Sequence, residues 1–413
     1  MLRALKKYAV VDKSMKNLIT VEFFAQLINV SFIAILPLYM KAEHFTDVEY
    51  AHFTSYRYLG MLSLALFVGM YIKGRKILPF FYIAAIGLPL FALLILIGVA
   101  IHSTELLLIS HLLWGVSYTF IQIPILPYIL RNTHKRQHTL VITMHFVVWS
   151  IASISSGLII SVFNRINKEL FNECNLLFTL VIASFMGIYF VTRVNKNEYV
   201  PIIKEKRSNL KEYDWKIIIR ALTPTAILAI GAGFTIPFMS LFFSNVHNMS
   251  TSSFSFLNFI TAILVASLTI YIPNIKEKYG YQKAIPITQS IAIIALIIMT
   301  TTQYYSYLNI AIYIAGLFYI LRQPFMSAAV PLTTEITMKY VGERNQEMAS
   351  ALTSSIWSGT AYFSAIAFGI LRQLNYSYAT IFWITAIMYS IGVIMFYLLV
   401  VDYNKKEKLG LIT

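Results

Sequence analysis

The stretch TRVNKNEYVPIIKEKRSNLKEYDWKIIIR, residues 192–220, is the least hydrophobic long segment in the interior of this 413-residue chain. It carries Arg193, Lys196, Lys204, Lys206, Arg207, Lys211, Lys216 and Arg220 against Glu198, Glu205, Glu212 and Asp214. On either side lie about two hundred residues of almost unbroken apolar sequence, and each side divides into six spans. A polar, mostly basic linker between two hydrophobic halves of equal length points to a duplicated membrane protein joined at its middle. The expected organisation is residues 1–192 as one six-helix bundle, 193–215 as a cytoplasmic linker and 216–413 as a second six-helix bundle.

Composition supports lipid as the solvent. Hydrophobic residues make up 58% of the chain and charged residues 12%, about half the charged share of soluble domains. A net charge of +15 invites a nucleic-acid partner. The basic residues, however, punctuate the ends of apolar spans rather than cluster on one polar domain, so they write membrane topology and no nucleic acid is expected. The single cysteine, Cys174, rules out an intrachain disulfide and any multi-cysteine metal site. Basic residues at Arg3, Lys6, Lys7, Lys13 and Lys16 precede an apolar run longer than a signal-peptide core and without a small-residue cleavage site. That pattern predicts a retained first span.

Twelve apolar spans follow, at 15–40, 52–72, 79–102, 104–130, 139–163, 172–193, 216–244, 251–273, 283–302, 306–332, 346–371 and 376–401. At 1.5 Å per residue each crosses about 30 Å of hydrocarbon as a helix, and open strands would leave backbone groups unpaired in lipid. With the N-terminus inside, 27 of the 33 Lys and Arg fall on the inner side and four, Lys41, Arg165, Lys168 and Arg372, on the outer. That bias predicts both termini inside and an even number of spans. The first outer loop is instead acidic, with Glu43, Asp47 and Glu49.

The halves repeat in detail. The fourth span ends in Pro124-Ile-Leu-Pro127, followed by Lys135-Arg136-Gln137-His138 and then Trp149-Ser150. The tenth ends near Pro331, followed by Glu343-Arg344-Asn345-Gln346 and Trp357-Ser358. The Arg-to-Trp separation is 13 in both, at an offset of 208 residues. Pro37 and Pro237 likewise sit late in the first and seventh spans. Together these matches argue for internal duplication.

With these features the chain resembles the major facilitator superfamily over nearly its whole length. That family carries G-x-x-x-D-x-x-G-R-K between spans two and three. Here the loop reads Gly69-Met-Tyr-Ile-Lys73-Gly74-Arg75-Lys76, which keeps the Gly-Arg-Lys end but is two residues short and lacks the acid. The echo between spans eight and nine, Pro273-Asn-Ile-Lys-Glu277-Lys278-Tyr279-Gly280, keeps the acid and glycine with proline in the leading position. The resemblance implies an all-α membrane protein of twelve transmembrane helices in two pseudo-symmetric six-helix bundles. It implies a central cavity lined by spans 1, 4, 7 and 10, and gating loops at Gly74, Arg75, Lys76, Glu277, Lys278 and Gly280. The drug-antiporter pattern G-x-x-x-G-P-x-x-G-G is absent from the fifth span, which reads Trp149-Ser-Ile-Ala-Ser-Ile-Ser-Ser-Gly157.

The candidate chemistry is sparse. Of 18 acidic residues only Glu22 lies well inside a span, where a charge is costly and faces a cavity or a partner. Glu22, Gln26 and Asn29 stand at i, i+4 and i+7, one helix face. The stripe reads either as a cavity wall with a protonatable acid or as a buried structural carboxyl. Arg322, beside Gln323 and Pro324 on the tenth span, cannot lose its charge and needs a carboxylate, carbonyls or an anionic substrate. Weaker candidates are His145, able to relay protons, and His111 with Gln122. Arg57, near the outer end of span two, reads either as a residue able to snorkel or as a further functional candidate. Gly231-Ala-Gly233-Phe-Thr-Ile-Pro237 reads as a hinge or as dense helix packing.

The function expected from this is secondary active transport of a small solute by alternating access, proton-coupled through Glu22, in a bacterial inner membrane. A passive facilitator of an anionic solute, or a lipid-handling or sensing membrane protein, stands as the alternative. No enzyme activity, metal or cofactor is expected: there is no His-Glu-x-x-His pattern, nucleophile elbow or Walker loop. The partners are a small molecule, protons and membrane lipids.

Overall fold

A computed structural model describes residues 11–72, 75–133, 138–195, 197–200, 213–342 and 345–409. All regular structure among them is helical. The first span is α1 (Lys13–Ala42), started by the Asp12 carboxylate, which accepts from the Ser14 amide at 2.9 Å. Then come α2 (Asp47–Tyr71) and α3 (Leu78–Ala100). The fourth span breaks at Pro124, which cannot supply an amide to the helix ladder, giving α4 (Thr104–Gln122) and α5 (Ile125–Asn132). The fifth is α6 (His138–Ile166), and the sixth comprises α7 (Glu173–Ser184) and α8 (Met186–Thr192).

The second half begins with α9 (Trp215–Thr235), a 3₁₀ turn over Ile236–Phe238 at Pro237, and α10 (Met239–His247). The eighth and ninth spans lie within Thr251–Thr301, together α11, and the helix is interrupted between them at Gly280. Its φ of +64° lies in a region that favours glycine. The last three are α12 (Ile310–Val341), α13 (Gln346–Gln373) and α14 (Tyr378–Lys408). Ten helical stretches among the described residues are long and apolar enough to cross a membrane. The second and eleventh helices, α2 and α13, complete the twelve spans of an all-α membrane protein. They are the polar ones: α2 carries Arg57, and α13 carries Ser350, Thr353, Ser354, Ser355, Ser358, Thr360 and Ser364.

The chain divides into two compact units, Met1–Thr46 with Tyr56–Lys206, and Asp47–Ser55 with Arg207–Thr413. In the first unit α2 and α4 touch backbone to backbone. A Cβ at Gly60 would stand 2.1 Å from the Leu112 carbonyl oxygen, and one at Gly115 would stand 2.0 Å from that of Arg57. Glycine is what allows two helices to approach this closely. The start of α3 is capped from a distance: the Glu198 carboxylate accepts from the amides of Ile77 at 2.8 Å and Leu78 at 3.0 Å. A carboxylate there complements the unsatisfied amides and the positive end of the helix dipole.

In the second unit an acid from the first turn of α2 is held by α10, α13 and α14. Asp47 accepts from Arg372 Nε at 3.1 Å, from Asn245 Nδ2 at 3.2 Å and from the Tyr378 hydroxyl. Between α11 and α12, Glu335 accepts from Lys276 at 2.7 Å and lies 3.3 Å from Lys339. The Asp47 side chain is 14% exposed, so its bonds are screened less than a surface pair. Asp47→Asn is therefore expected to destabilise the purified protein by about 1.5–3 kcal/mol, the worth of a charged acceptor, and so to lower its thermal midpoint. Glu169→Gln in an exposed turn should leave the midpoint in place. Equal midpoints for both variants would contradict this reading.

Candidate functional site

Polar side chains converge in each unit. In the first, the α1 stripe meets α2, α4 and α6. Glu22 is 3% exposed, and its Oε1 lies 2.7 Å from Nδ1 of His145 on α6. Oε2 of Glu22 has no hydrogen-bond partner among the described residues. One and two turns further along α1, Asn29 donates to Gln26 Oε1 at 3.0 Å and to the Tyr118 hydroxyl at 3.1 Å, and Tyr118 donates to Gln26 at 3.1 Å. Arg57 completes the cluster by donating from Nη2 to Asn29 Oδ1.

Arg57 corrects the expectation of a snorkelling residue. It is 7% exposed, and its guanidinium carbon lies 3.9 Å from the ring centroid of Trp114. Trp114 in turn stacks on Tyr118 at 8°. The cause is the close approach of α2 and α4 at Gly60 and Gly115, which brings Arg57 against the face of α4. A guanidinium over an indole face is an attractive pairing, stronger when desolvated. Trp114 and Tyr118 escaped the sequence reading, though His111, Trp114 and Tyr118 at i, i+3 and i+7 form a legible face of the fourth span. His111 is buried, with Nδ1 2.9 Å from the Leu107 carbonyl of its own helix. Gln122, exposed at the end of α4, stays outside the network.

In the second unit Arg322 on α12 is 1% exposed. It donates to Gln323 Oε1 at 3.1 Å and to the Tyr389 hydroxyl of α14 at 3.3 Å. Nε has no partner among the described residues. Among the described residues of this unit, no carboxylate stands within ion-pair range of it. Arg322, Gln323, Tyr389 and Gln289 line a cavity of about 130 Å³. Gly231 holds Tyr389 in place: a Cβ there would stand 2.9 Å from the Tyr389 ring. At Gly233 it would stand 2.6 Å from Ser364 Cβ. The Gly231–Pro237 segment thus shows dense packing, followed by a helix break at Pro237.

The gating-loop residues are spread out. Gly74 lies outside the described residues. Arg75 stacks on Tyr71 at 4.0 Å, and Lys76 is exposed. Glu277 is exposed, and the acid that pairs near this loop is Glu335 of α12, through Lys276. Lys278 lies over the Tyr279 ring, and Gly280 supplies the interruption. Among the described residues no three His, Cys, Asp or Glu side chains converge on a metal site.

The sequence matches the model of the Major Facilitator Superfamily over residues 156–358. That stretch, just under half of the chain, identifies it as similar to the major facilitator superfamily. Solved structures of that architecture overlay nearly end to end. A POT family transporter in complex with a thioalcohol-conjugated peptide aligns with TM-score 0.73 at 10% identity, covering 95% of this chain and 96% of that one. A D-xylose–proton symporter gives 0.71 at 10% identity, covering 93% and 95%. A nucleoside transporter gives 0.67 at 14% identity, covering 94% and 98%. At these identities the likeness is one of fold. No curated protein matches the chain in sequence. The family match, the apolar helices and the likeness of fold make this a multi-pass membrane protein with a transporter fold.

Proposed function

We propose that the protein is a secondary active transporter moving a small solute across a bacterial inner membrane by alternating access, with proton coupling through Glu22. Both termini are cytoplasmic in this reading, the 193–215 linker joins the bundles on that side, and lipids and protons are its other partners. The observation that carries it is the Glu22–His145 pair: a buried carboxylate 2.7 Å from an imidazole, with its second oxygen unpartnered. Such a pair takes up or gives away a proton when water reaches it. Its net charge then decides how costly burial is in a low dielectric. A proton is thereby tied to the change of access. Gln26, Asn29 and Tyr118 continue the polar face beside that acid.

The deciding experiment is flux of small metabolites into proteoliposomes containing the purified protein, with and without an imposed proton gradient. Gradient-driven accumulation is expected. Flux indifferent to the gradient would leave a facilitator, and turnover of a lipid without flux would favour an enzyme. Orientation has its own check. Cysteines at positions 43–49, in a Cys174→Ser background, should label with an impermeant thiol reagent on intact cells, whereas cysteines in 194–212 should not. Reversed labelling would overturn the topology.

A further inference from the structure

The cavity of the second unit has a chemical bias. Its lining runs along one face of α12 from Arg322 through Met326, Val330 and Thr333 to Thr337. Steps of four, four, three and four residues keep these side chains in line. Fifteen residues at 1.5 Å make that face about 22 Å long. Arg322 is the one charged residue among the residues that line the cavity. A guanidinium buried to 99% without a carboxylate costs several kcal/mol unless an anion reaches it. Gln289, 2% exposed on the same cavity, has its own unpartnered atom, Oε1. Whichever way its amide is turned, it offers one hydrogen-bonding group to a neutral polar substituent.

We propose that this cavity binds a small hydroxy-substituted monocarboxylate, its carboxylate on Arg322 and its hydroxyl toward Gln289. This rests on the transporter reading and names the substrate class for it. One positive charge matches one negative charge. A phosphate monoester, carrying close to two at neutral pH, would need a second cation that the lining does not provide. Guanidinium is suited to the task because its fork presents two parallel N–H donors to a carboxylate. Gln323 and the Tyr389 hydroxyl hold that fork through Nη1 and Nη2. Nε is left for the incoming ligand, and the two Nη groups keep further protons to give. The volume of about 130 Å³ holds on the order of ten water-sized groups, which limits the solute to about that many non-hydrogen atoms.

The test uses the purified full-length protein and three probe sets: lactate, glycerate and 3-hydroxybutyrate; the neutral amides of the same acids; and glycerol 3-phosphate. Thermal stabilisation by one or more of the acids is expected, with the amides and the phosphate ester inert. Arg322→Gln should weaken that acid about 100-fold and Arg322→Lys about tenfold, because lysine keeps the charge and loses the fork. Tyr389→Phe should weaken it several-fold. Arg322→Gln removes a buried charge, so its unliganded thermal midpoint should not fall below that of the parent, which separates lost binding from lost folding. No stabilisation by any of the three acids, equal stabilisation by their amides, or retention of the effect in Arg322→Gln overturns the proposal.

Counterflow of the same compounds separates this proposal from the reading beneath it. Arg322-dependent binding without exchange would keep the anion site and end the transporter reading. Exchange of an uncharged amide, untouched by Arg322→Gln, would keep the transporter and end the anion site.

Discussion

Glu22→Gln is expected to abolish accumulation driven by a proton gradient while leaving exchange between equal pools in place. Glutamine keeps the size of the side chain and its hydrogen bonding, but it cannot carry a proton between states. Coupled one to one, a gradient of one pH unit supplies about 1.4 kcal/mol per proton, enough for about tenfold accumulation. In the variant that ratio should fall to one. Binding and counterflow should survive, because Gln26, Asn29, Tyr118 and Arg57 form their hydrogen bonds without Glu22. The measurement is uptake into proteoliposomes with an imposed pH step, using a compound that shows counterflow with the parent protein. Accumulation at the parent's level would remove Glu22 as the coupling acid. His145, 2.7 Å away, would then be the group to replace.

The second large effect is structural. Gly115→Val is expected to yield little or no folded protein, and Gly60→Ala a strongly destabilised one. A Cβ 2.0 Å from the Arg57 carbonyl oxygen or 2.1 Å from that of Leu112 meets backbone. Two helices must then move apart, with no flexible side chain to turn aside. The cost is about 3 kcal/mol or more, at the upper end of overpacking effects. The same separation would lift Arg57 from Trp114 and draw it off Asn29, so any folded remnant should also lose the polar cluster. Gly69→Ala on the same helix is the contrast, since nothing lies within 4 Å of its Cβ position. There the change should be neutral or stabilise by about 0.5–1 kcal/mol through helix propensity. Equal melting behaviour of Gly60→Ala and Gly69→Ala would show that the helix contact is not as close as described.

Hydrophobic length and basic punctuation determined, from sequence alone, that the chain is an all-α membrane protein of twelve spans around a central polar linker. They suffice because lipid leaves the backbone no choice but helix. Helical spacing was also enough to put Glu22, Gln26 and Asn29 on one face, since that face is a local property of a single element.

Tertiary structure alone decided which faces meet. His145 is the partner of Glu22 from 123 positions away, Glu198 caps α3, and Asp47 groups with the second unit although most of its helix belongs to the first. Arg57 reads from sequence as a residue near a span end with water in reach. Packing instead placed it on Trp114, because two glycines on neighbouring helices let the backbones touch. Periodicity reports the direction of a side chain relative to its own helix axis. The neighbour it finds depends on how helices far apart in sequence pack, and each half-buried polar group is satisfied only by the partner that packing delivers.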